Sequence, residues 1–361
     1  MKRRLFVIIA IALATTASDG AFAEEPATPA APAVKLEVTP TASGPWTMKI
    51  TNGGEGPVRL AADPRLLSFE LVPPGGGAIE LDKPKKGAPA GPIRCALPDE
   101  SRPSTDEGRE LVVPGKRSWS ATFDPFFYCF GARERAALVK DAQVKARFGW
   151  RPVATKGKTA AAPSPPFALS PVGASVGKID PVKELEADPV TLPDTISIAP
   201  KPAGSEPATP PPSVYLTVPE TMDAAKGDDL TTTVSLVNET DRPIALLFRP
   251  DMVTFAVSGP GGSVACGAPR TIGSPIRELF VTVGVKGKTS LSILFTATCP
   301  SGTFDLPGLY RITPKLDTTN ASGRSINIKS WDDVATAKAP LLLRVRQPKR
   351  PTLTGPRPAL D

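Results

Sequence analysis

The sequence predicts an all-β protein in which two tandem antiparallel β-sandwiches are joined by a Pro-rich linker. Ile50–Gly76 aligns without a gap with Leu236–Gly262, and the two segments share Asn, Pro, Leu, Phe and Gly residues at matching positions. A repeat this long indicates a duplicated domain, because the period of a solenoid is roughly 20 to 50 residues. Apolar and polar residues also alternate with period two in short segments bounded by Gly and Pro, which is typical of half-buried strands.

The chain begins with the pattern of a secretory signal. A basic start at Lys2–Arg4 precedes an apolar run, Leu5–Ala14, and a small-x-small cleavage site at Ala21–Ala23. We therefore expect residues 1–23 to be removed and residues 24–33 to form a disordered Pro-Ala-Thr spacer. An uncleaved anchor is the less favoured alternative, since the apolar run falls well short of the roughly 20 residues that span a bilayer. No later stretch is long and apolar enough to span a membrane.

The first sandwich is predicted over residues 34–172. Its expected strands are separated by turns rich in Gly, Pro and Asn: Val34–Val38, Trp46–Ile50, a strand opened by Pro57, Leu66–Val72, Glu110–Val113, Ser118–Phe123, Val144–Trp150 and a last strand from Phe167 to Val172. An insert between Ile79 and Cys95 is rich in Lys, Pro and Gly and is expected to form a surface loop. The aromatic run Phe123–Phe130 is expected to pack in the core rather than form a ligand cage.

The second sandwich is predicted over residues 213–347, after a semi-rigid Pro-rich linker at residues 173–212. Ile179–Leu185 could form a single helical turn within the linker. The expected strands of the second sandwich repeat the plan of the first: Val214–Val218, Leu230–Val237, Ile244–Phe248, Val253–Val257, Glu278–Val283, Thr289–Phe295, Leu309–Leu316 and Pro340–Val345. Residues 348–361 are Pro-rich and basic and are expected to form a disordered tail.

The four Cys residues fall as one pair in each copy of the repeat. Four Cys allow three pairings, and the duplication favours the local one, which joins Cys95 to Cys129 and Cys266 to Cys299. Disulfides are the usual state of paired Cys in an exported protein. Closing a loop of this size would stabilise each domain by roughly 4 kcal/mol on the chain-entropy model.

Composition excludes several classes of function. The chain has no His, which removes His-based general base catalysis, Ser-His-Asp and Cys-His systems and most zinc sites. The net charge of +7 is a mild excess, and much of it lies in Lys83–Lys86 and in the tail Arg344–Arg357, which we expect to be solvated. Neither segment interleaves basic and aromatic residues, so no nucleic-acid partner is expected.

No motif in the sequence predicts a catalytic residue, a cofactor site or a metal site, so the protein is not expected to be an enzyme. Gly157–Thr159 and Gly287–Thr289 resemble the end of a phosphate-binding loop but lack its earlier Gly, and we interpret both as turns. The acidic pairs Asp228–Asp229 and Asp332–Asp333 could contribute to a calcium site. A solvated turn is favoured instead, because no spaced acidic loop accompanies either pair.

The second copy resembles a known group of domains. Its Asn238–Thr240 turn, the Pro243–Phe248 strand, the Val253–Val257 strand and the closing Pro307–Arg311 segment are similar to small bacterial immunoglobulin-like sandwiches, and more narrowly to the BsuPI-type proteinase inhibitor domain. The resemblance covers Leu230–Leu316, and the first copy lacks the Pro-Gly-x-Tyr segment. It implies an immunoglobulin-like fold for each sandwich. No inhibitory residue is carried over, and this chain is expected to have disulfides and to be exported, unlike the intracellular inhibitor.

These observations together predict an exported, non-enzymatic binding or structural protein of the bacterial cell envelope, periplasmic or secreted. Its partner would be an envelope or extracellular protein or a polysaccharide. Loops at one end of each sandwich, the Lys83–Ile93 insert in particular, or an exposed sheet edge would supply the recognition surface. A secreted proteinase inhibitor is the alternative, and an accessory domain pair of a larger enzyme or polysaccharide system is a third possibility.

Overall fold

Short strands with alternating burial make up most of the described chain. The computed structural model describes residues 34–42, 44–74, 91–101, 110–149, 169–171, 184–197, 212–267 and 276–349. Nearly all strand pairs in these ranges are antiparallel and the helices are few and short, so the all-β prediction is confirmed. We call residues 34–197 the N-terminal half and residues 212–349 the C-terminal half.

The N-terminal half contains eleven strands and one short α-helix among its described residues. The strands are β1 (Val34–Thr39), β2 (Trp46–Asn52), β3 (Val58–Ala61), β4 (Leu67–Val72), β5 (Ile93–Cys95), β6 (Glu110–Val113), β7 (Ser118–Phe123), β8 (Gln143–Gly149), β9 (Leu169–Pro171), β10 (Glu184–Glu186) and β11 (Val190–Thr191); the helix is α1 (Ala132–Ala136). Turns of 3-10 helix cover Pro64–Leu66, Asp99–Ser101 and Pro125–Phe127. The sheets have the orders β1-β2-β7, β10-β8-β4-β5 with β11 also on β8, and β6-β3-β9.

The C-terminal half follows a closely similar plan. Its described strands are β12 (Val214–Thr217), β13 (Thr221–Ala224), β14 (Thr231–Asn238), β15 (Ile244–Leu247), β16 (Val253–Gly259), β17 (Gly262–Cys266), β18 (Phe280–Val283), β19 (Lys288–Leu294), β20 (Gly308–Asp317), β21 (Val334–Thr336) and β22 (Leu341–Val345), with α2 at Phe295–Thr298. Further 3-10 turns cover Pro250–Met252, Arg277–Leu279 and Arg324–Ile326. The sheets have the orders β12-β14-β19, β13-β22-β20-β16-β17 with β21 on β20, and β15-β18. Only the β13–β22 pair is parallel among the described strand pairs.

Two buried Asn side chains hold matching turns in the two halves. Asn52 is fully buried, and its Nδ2 donates to the carbonyl oxygens of Gly56, Val113 and Pro114 at 2.8, 3.1 and 3.1 Å. Its Oδ1 accepts the N–H of Gly54. A buried amide that donates through its nitrogen and accepts through its oxygen ties three chain segments together. It also gives hydrogen-bond partners to four backbone groups.

Asn238 makes the same set of contacts in the C-terminal half. Its Nδ2 donates to the carbonyl oxygens of Arg242, Val283 and Gly284 at 3.0, 3.3 and 2.9 Å, and its Oδ1 accepts the N–H of Thr240. Asn238 is also fully buried. The aligned Asn residues therefore serve one structural purpose, which is to fasten the turn after β2 or β14 to the strand that lies beside it.

The core consists of two clusters of buried hydrophobic side chains, which follow the two halves with one exception. The cluster of the N-terminal half also contains Leu309 and Leu342, which belong to β20 and β22 of the C-terminal half. The aromatic run Phe123–Phe130 lies within this cluster as expected, and Phe123, Phe126, Phe127, Tyr128 and Phe130 are all buried. The two halves belong to one compact unit.

Part of the segment that the sequence predicted to be a linker is instead folded into the N-terminal half. β10 and β11 pair with β8, and the side chains of Leu185, Ala187, Leu192 and Ile196 are buried in the core of that half. The interpretation of Ile179–Leu185 as a helical turn is wrong where the chain is described, since Glu184 and Leu185 lie in β10. Within the strand predicted near Phe167–Val172, the structure describes β9, which pairs with β3, although β10 and β11 follow it in the same half. The high Pro content of this segment indicated a linker, but its two short strands nevertheless pair with β8.

Several predicted segments lie outside the described residues. These are the signal at residues 1–23, the spacer at residues 24–33, most of the Lys83–Ile93 insert, the linker at residues 173–183 and 198–211, and the tail from residue 350 onward. Among the described residues, no helix is long and apolar enough to cross a membrane.

Candidate binding site at the contact between the two halves

β22 is buried on both of its faces, and this places the contact between the halves. Successive side chains of a strand point to opposite faces. Leu341, Leu343 and Val345 pack in the core of the C-terminal half, while Leu342 packs with Leu309 in the core of the N-terminal half. The N-terminal half therefore covers the outer face of the β22–β20 pair.

Arg344 lies at the centre of this covered face and is only 6% exposed. Its Nε and Nη2 donate to Oδ1 and Oδ2 of Asp223 at 3.0 and 2.6 Å, because β13 runs parallel to β22 and places Asp223 beside Arg344 in register. Its Nη1 donates to the carbonyl oxygen of Phe127 at 3.4 Å, and its guanidinium carbon lies 4.3 Å from the ring centroid of Phe130. A planar guanidinium suits this set, since it can bind a carboxylate with two donors and stack on an aromatic face at once.

Arg346 extends the contact toward the 3-10 turn at Asp99–Ser101. Its Nη1 donates to Oε1 of Glu100 at 2.7 Å and to Oγ of Ser101 at 2.8 Å, and its Nε lies 3.2 Å from Oδ1 of Asp223. Gln347 donates to the backbone carbonyl of Glu100 at 2.7 Å. A backbone hydrogen bond at Glu100, and then the Arg346 guanidinium, lower the pKa of the Glu100 carboxyl below its ordinary value.

Two further Arg residues pair across the contact. Nη2 of Arg311 on β20 donates to Oδ2 of Asp124 at 2.9 Å, and Asp124 in turn caps the 3-10 turn of the N-terminal half by accepting the N–H of Phe126. Nη2 of Arg135 at the end of α1 donates to Oε1 of Glu220 at 2.9 Å, and its Nη1 donates to the carbonyl of Phe130. We call Arg135, Arg311, Arg344, Arg346 and their partners the arginine contact.

The arginine contact corrects one expectation from the sequence. Positive charge from Arg344 onward was predicted to be solvated, yet Arg344 is buried and the side chain of Arg346 is only 16% exposed. The run Leu341-Leu342-Leu343 was the signal for this, because a strand without polar alternation is typical of burial on both faces. The carboxylate partners, which lie far away in the sequence, carry no comparable signal.

A groove with a volume of about 460 Å³ lies on the same sheet face, where the cover of the N-terminal half stops. Its floor carries outward side chains in two cross-strand rows, Ser263–Ser258–Arg311 and Ala265–Ala256–Thr313, and all of these except Arg311 are small. Pro340, Val257 and Val264 complete the lining, so Arg311 is the only charged residue among the described residues that form it. We call this feature the small-residue groove. Arg311 belongs both to the groove and to the arginine contact.

The predicted disulfides hold the segments that surround this region. Cys95 is bonded to Cys129, which ties the edge strand β5 to the aromatic run whose Phe127 and Phe130 meet Arg344. Cys266 is bonded to Cys299, which ties the edge strand β17 to the end of α2. All four Cys are therefore placed as the sequence favoured, and each bond fixes a short edge strand that pairing on one side alone would hold less firmly.

The other residues considered from the sequence form no site in the described chain. No group of three or more Cys, Asp or Glu residues in that part could hold a metal ion. Asp332 accepts the Ser330 hydroxyl and lies 3.9 Å from Arg324, while Asp228 lies 3.1 Å from Lys349. These carboxylates belong to local turns and surface ion pairs.

No protein-family model matches the chain, and no curated protein matches it either. Function is therefore inferred from the sequence and the geometry of this chain.

Proposed function

We propose that this protein is an exported, non-enzymatic binding or structural protein of the bacterial cell envelope, built from two duplicated, disulfide-bonded immunoglobulin-like sandwiches. Support for the duplication comes from the gapless alignment of Ile50–Gly76 with Leu236–Gly262 and from the matching contacts of Asn52 and Asn238. Support for the compartment comes from the secretory pattern and from the two disulfides, which persist in oxidising surroundings. A periplasmic or secreted location follows from this proposal.

One observation carries the binding function. The arginine contact joins the halves and leaves the small-residue groove open on the same sheet face, so the surface of the C-terminal half continues beyond the part that the N-terminal half covers. Grooves and loops held by a rigid frame are the usual places of protein recognition. The partner would be a protein or a polysaccharide of the envelope or the surrounding medium.

The test is cross-linking in living cells that export the protein, followed by identification of the linked partner. We expect a cross-linked partner when a photoreactive residue replaces Ser258 in the groove, and none when it replaces the exposed Thr233 on the β12-β14-β19 sheet of the C-terminal half. A matched panel of serine, cysteine and metalloproteinases tests the competing class. Stoichiometric inhibition of any of them would replace the proposal with a secreted proteinase inhibitor.

A mass measurement of the exported protein tests the compartment separately. We expect the chain to begin at residue 24 and to contain no free thiols. An intact amino terminus or alkylatable Cys residues before reduction would contradict the proposed export.

A further inference from the structure

We propose that the small-residue groove and the free edge of β17 together bind an extended, neutral or acidic peptide segment of a partner protein, which adds to the sheet as a further strand. This inference rests on the proposed binding function and names the site and the kind of partner. Its basis is the sheet β13-β22-β20-β16-β17, in which β17 is the last strand.

The first argument is continuity with the contact already present. The N-terminal half covers the outer face of the β22–β20 pair through Leu309, Leu342 and Arg344, and the cover ends at Arg311. Beyond Arg311 the same face is open, and Ala256, Ser258, Ser263 and Ala265 are exposed. A partner on this face would extend an existing layer, with Arg311 and Pro340 as the border between the two.

The second argument is the edge of β17 itself. An edge strand presents unpaired N–H and C=O groups, and proteins usually protect it with charge, Pro, a bulge or a very short strand. β17 runs over five residues, Gly262–Cys266, without a charged residue or a Pro, and no described strand pairs with its other side. The corresponding edge of the N-terminal half is β5, which has only three residues and places the exposed Arg94 at its centre. The two edges of matching sheets therefore differ in protection.

The third argument concerns the chemistry of the occupant. Main-chain pairing supplies affinity in strand addition, and pockets for alternate side chains supply specificity. Side chains of an added strand that point outward would lie next to Ser263 and Ala265, which are small enough to admit larger apolar groups. The groove volume suits a few side chains rather than a whole domain face. Because the described lining contains no carboxylate that could pair with a cation, a basic segment is disfavoured.

The experiment selects linear peptides of about ten residues from an mRNA-displayed random library against the oxidised full-length mature protein, and then measures their affinity by fluorescence polarisation. Ala256→Trp fills the floor of the groove from its exposed side, and Thr233→Trp adds the same bulk to an exposed position on another sheet. We expect the selected peptides to bind the unmodified protein and the Thr233→Trp variant equally. We expect Ala256→Trp to weaken binding at least tenfold, or about 1.4 kcal/mol.

Hydrogen exchange gives a second readout that does not depend on a substitution. Peptide binding should slow the exchange of backbone amides within Gly262–Cys266, because a paired edge amide becomes protected. The proposal is overturned if no peptide binds, if Ala256→Trp leaves the affinity unchanged, or if protection falls elsewhere. If an envelope partner is cross-linked but is insensitive to Ala256→Trp, the binding function stands and the strand-addition site fails. If peptides bind in the groove but no envelope partner is cross-linked, the strand-addition site stands and the proposed envelope partner fails.

Discussion

Arg311 of the C-terminal half donates to Asp124 of the N-terminal half over 2.9 Å, while Gln143 stands at the matching position of the N-terminal half. In the alignment of the repeat, Val72 corresponds to Ser258, and their partners on the next strand are Gln143 and Arg311. Gln143 is exposed, and in the described chain its side chain makes no hydrogen bond to the C-terminal half. The two sheet faces share a strand order but only one of them carries the residues that dock the other half.

Replacing the buried Asn238 with Asp should destabilise the protein strongly. The change turns an amide that donates to three backbone carbonyls, those of Arg242, Val283 and Gly284, into a carboxyl group that has no donor when ionised and only one when protonated. We expect a loss of about 3 kcal/mol in the free energy of unfolding. Urea denaturation with the disulfides intact measures it. Asn320→Asp at an exposed position is the matched control and should cost less than about 0.5 kcal/mol.

Replacing Arg344 with Met should weaken the arginine contact. Met retains the apolar packing of the stem but leaves Asp223 with Arg346 as its remaining cation and removes the donor to the carbonyl of Phe127. Because Asp223 is partly exposed, we expect about 2 kcal/mol rather than the larger cost of breaking a fully buried pair. The same substitution at Arg324, whose side chain is 86% exposed, should have almost no effect on urea denaturation. Equal effects at both positions would contradict the buried role of Arg344.

The contact between Arg346 and Glu100 should depend on pH with a definite sign. The pKa of Glu100 is lowered in the folded protein, so its contribution to stability is fully present above the ordinary Glu pKa of about 4.3 and is lost as the pH falls through the lower folded value. Carboxyl carbon NMR of the folded protein measures this titration. Arg346→Gln should raise the pKa of Glu100 toward the ordinary value, whereas Arg324→Gln should leave it unchanged.

Two tyrosine hydroxyls should resist ionisation at alkaline pH. Burial raises the pKa of Tyr128 and Tyr310, whose hydroxyls donate to the carbonyls of Pro64 and Leu306 at 2.7 and 2.8 Å. Because folding favours the neutral hydroxyl, its contribution to the stability of the folded protein is present below the ordinary Tyr pKa of about 10. That contribution is lost as the pH rises through the pKa of the Tyr in the folded protein. In a pH titration, part of the tyrosinate absorbance should therefore appear only above the ordinary Tyr pKa, and Tyr310→Phe should reduce that part. Titration of all tyrosines near pH 10 in the folded protein would count against the packing of these two side chains.

Removing the disulfide of the C-terminal half should cost roughly 4 kcal/mol of stability on the chain-entropy model. The bond closes a loop between positions 33 residues apart, and Cys266 is fully buried beside the edge of the sheet. Guanidinium denaturation of the Cys266→Ala/Cys299→Ala variant measures the loss. The corresponding Cys95→Ala/Cys129→Ala variant serves as the comparison and should lose a similar amount, since its loop spans 34 residues.

Local signals in the sequence were sufficient for most of the strands and for the Cys pairing, but not for β5, β10, β11, β13, β17 and β21. Period-two alternation placed β2 at Trp46 and β16 at Val253, because the pleat of a strand imposes that period on every half-buried strand. Duplication placed Cys266 with Cys299, because a local pairing is the one that both copies can share. The strand at β10 was missed, since frequent Pro residues around it suggested a linker and its pairing with β8 is a long-range contact.

The sequence by itself determined the all-β class, most strand positions and the placement of the four Cys, since each depends on residues close together in the chain or on comparison of the two copies. Only the tertiary structure decided that Arg344 is buried, that it meets Phe130 and Asp223, and that the groove begins beside Arg311. The physical reason is that an Arg side chain is equally suited to solvent and to a paired, stacked position. Which of these it occupies depends on partners that folding brings from distant parts of the chain.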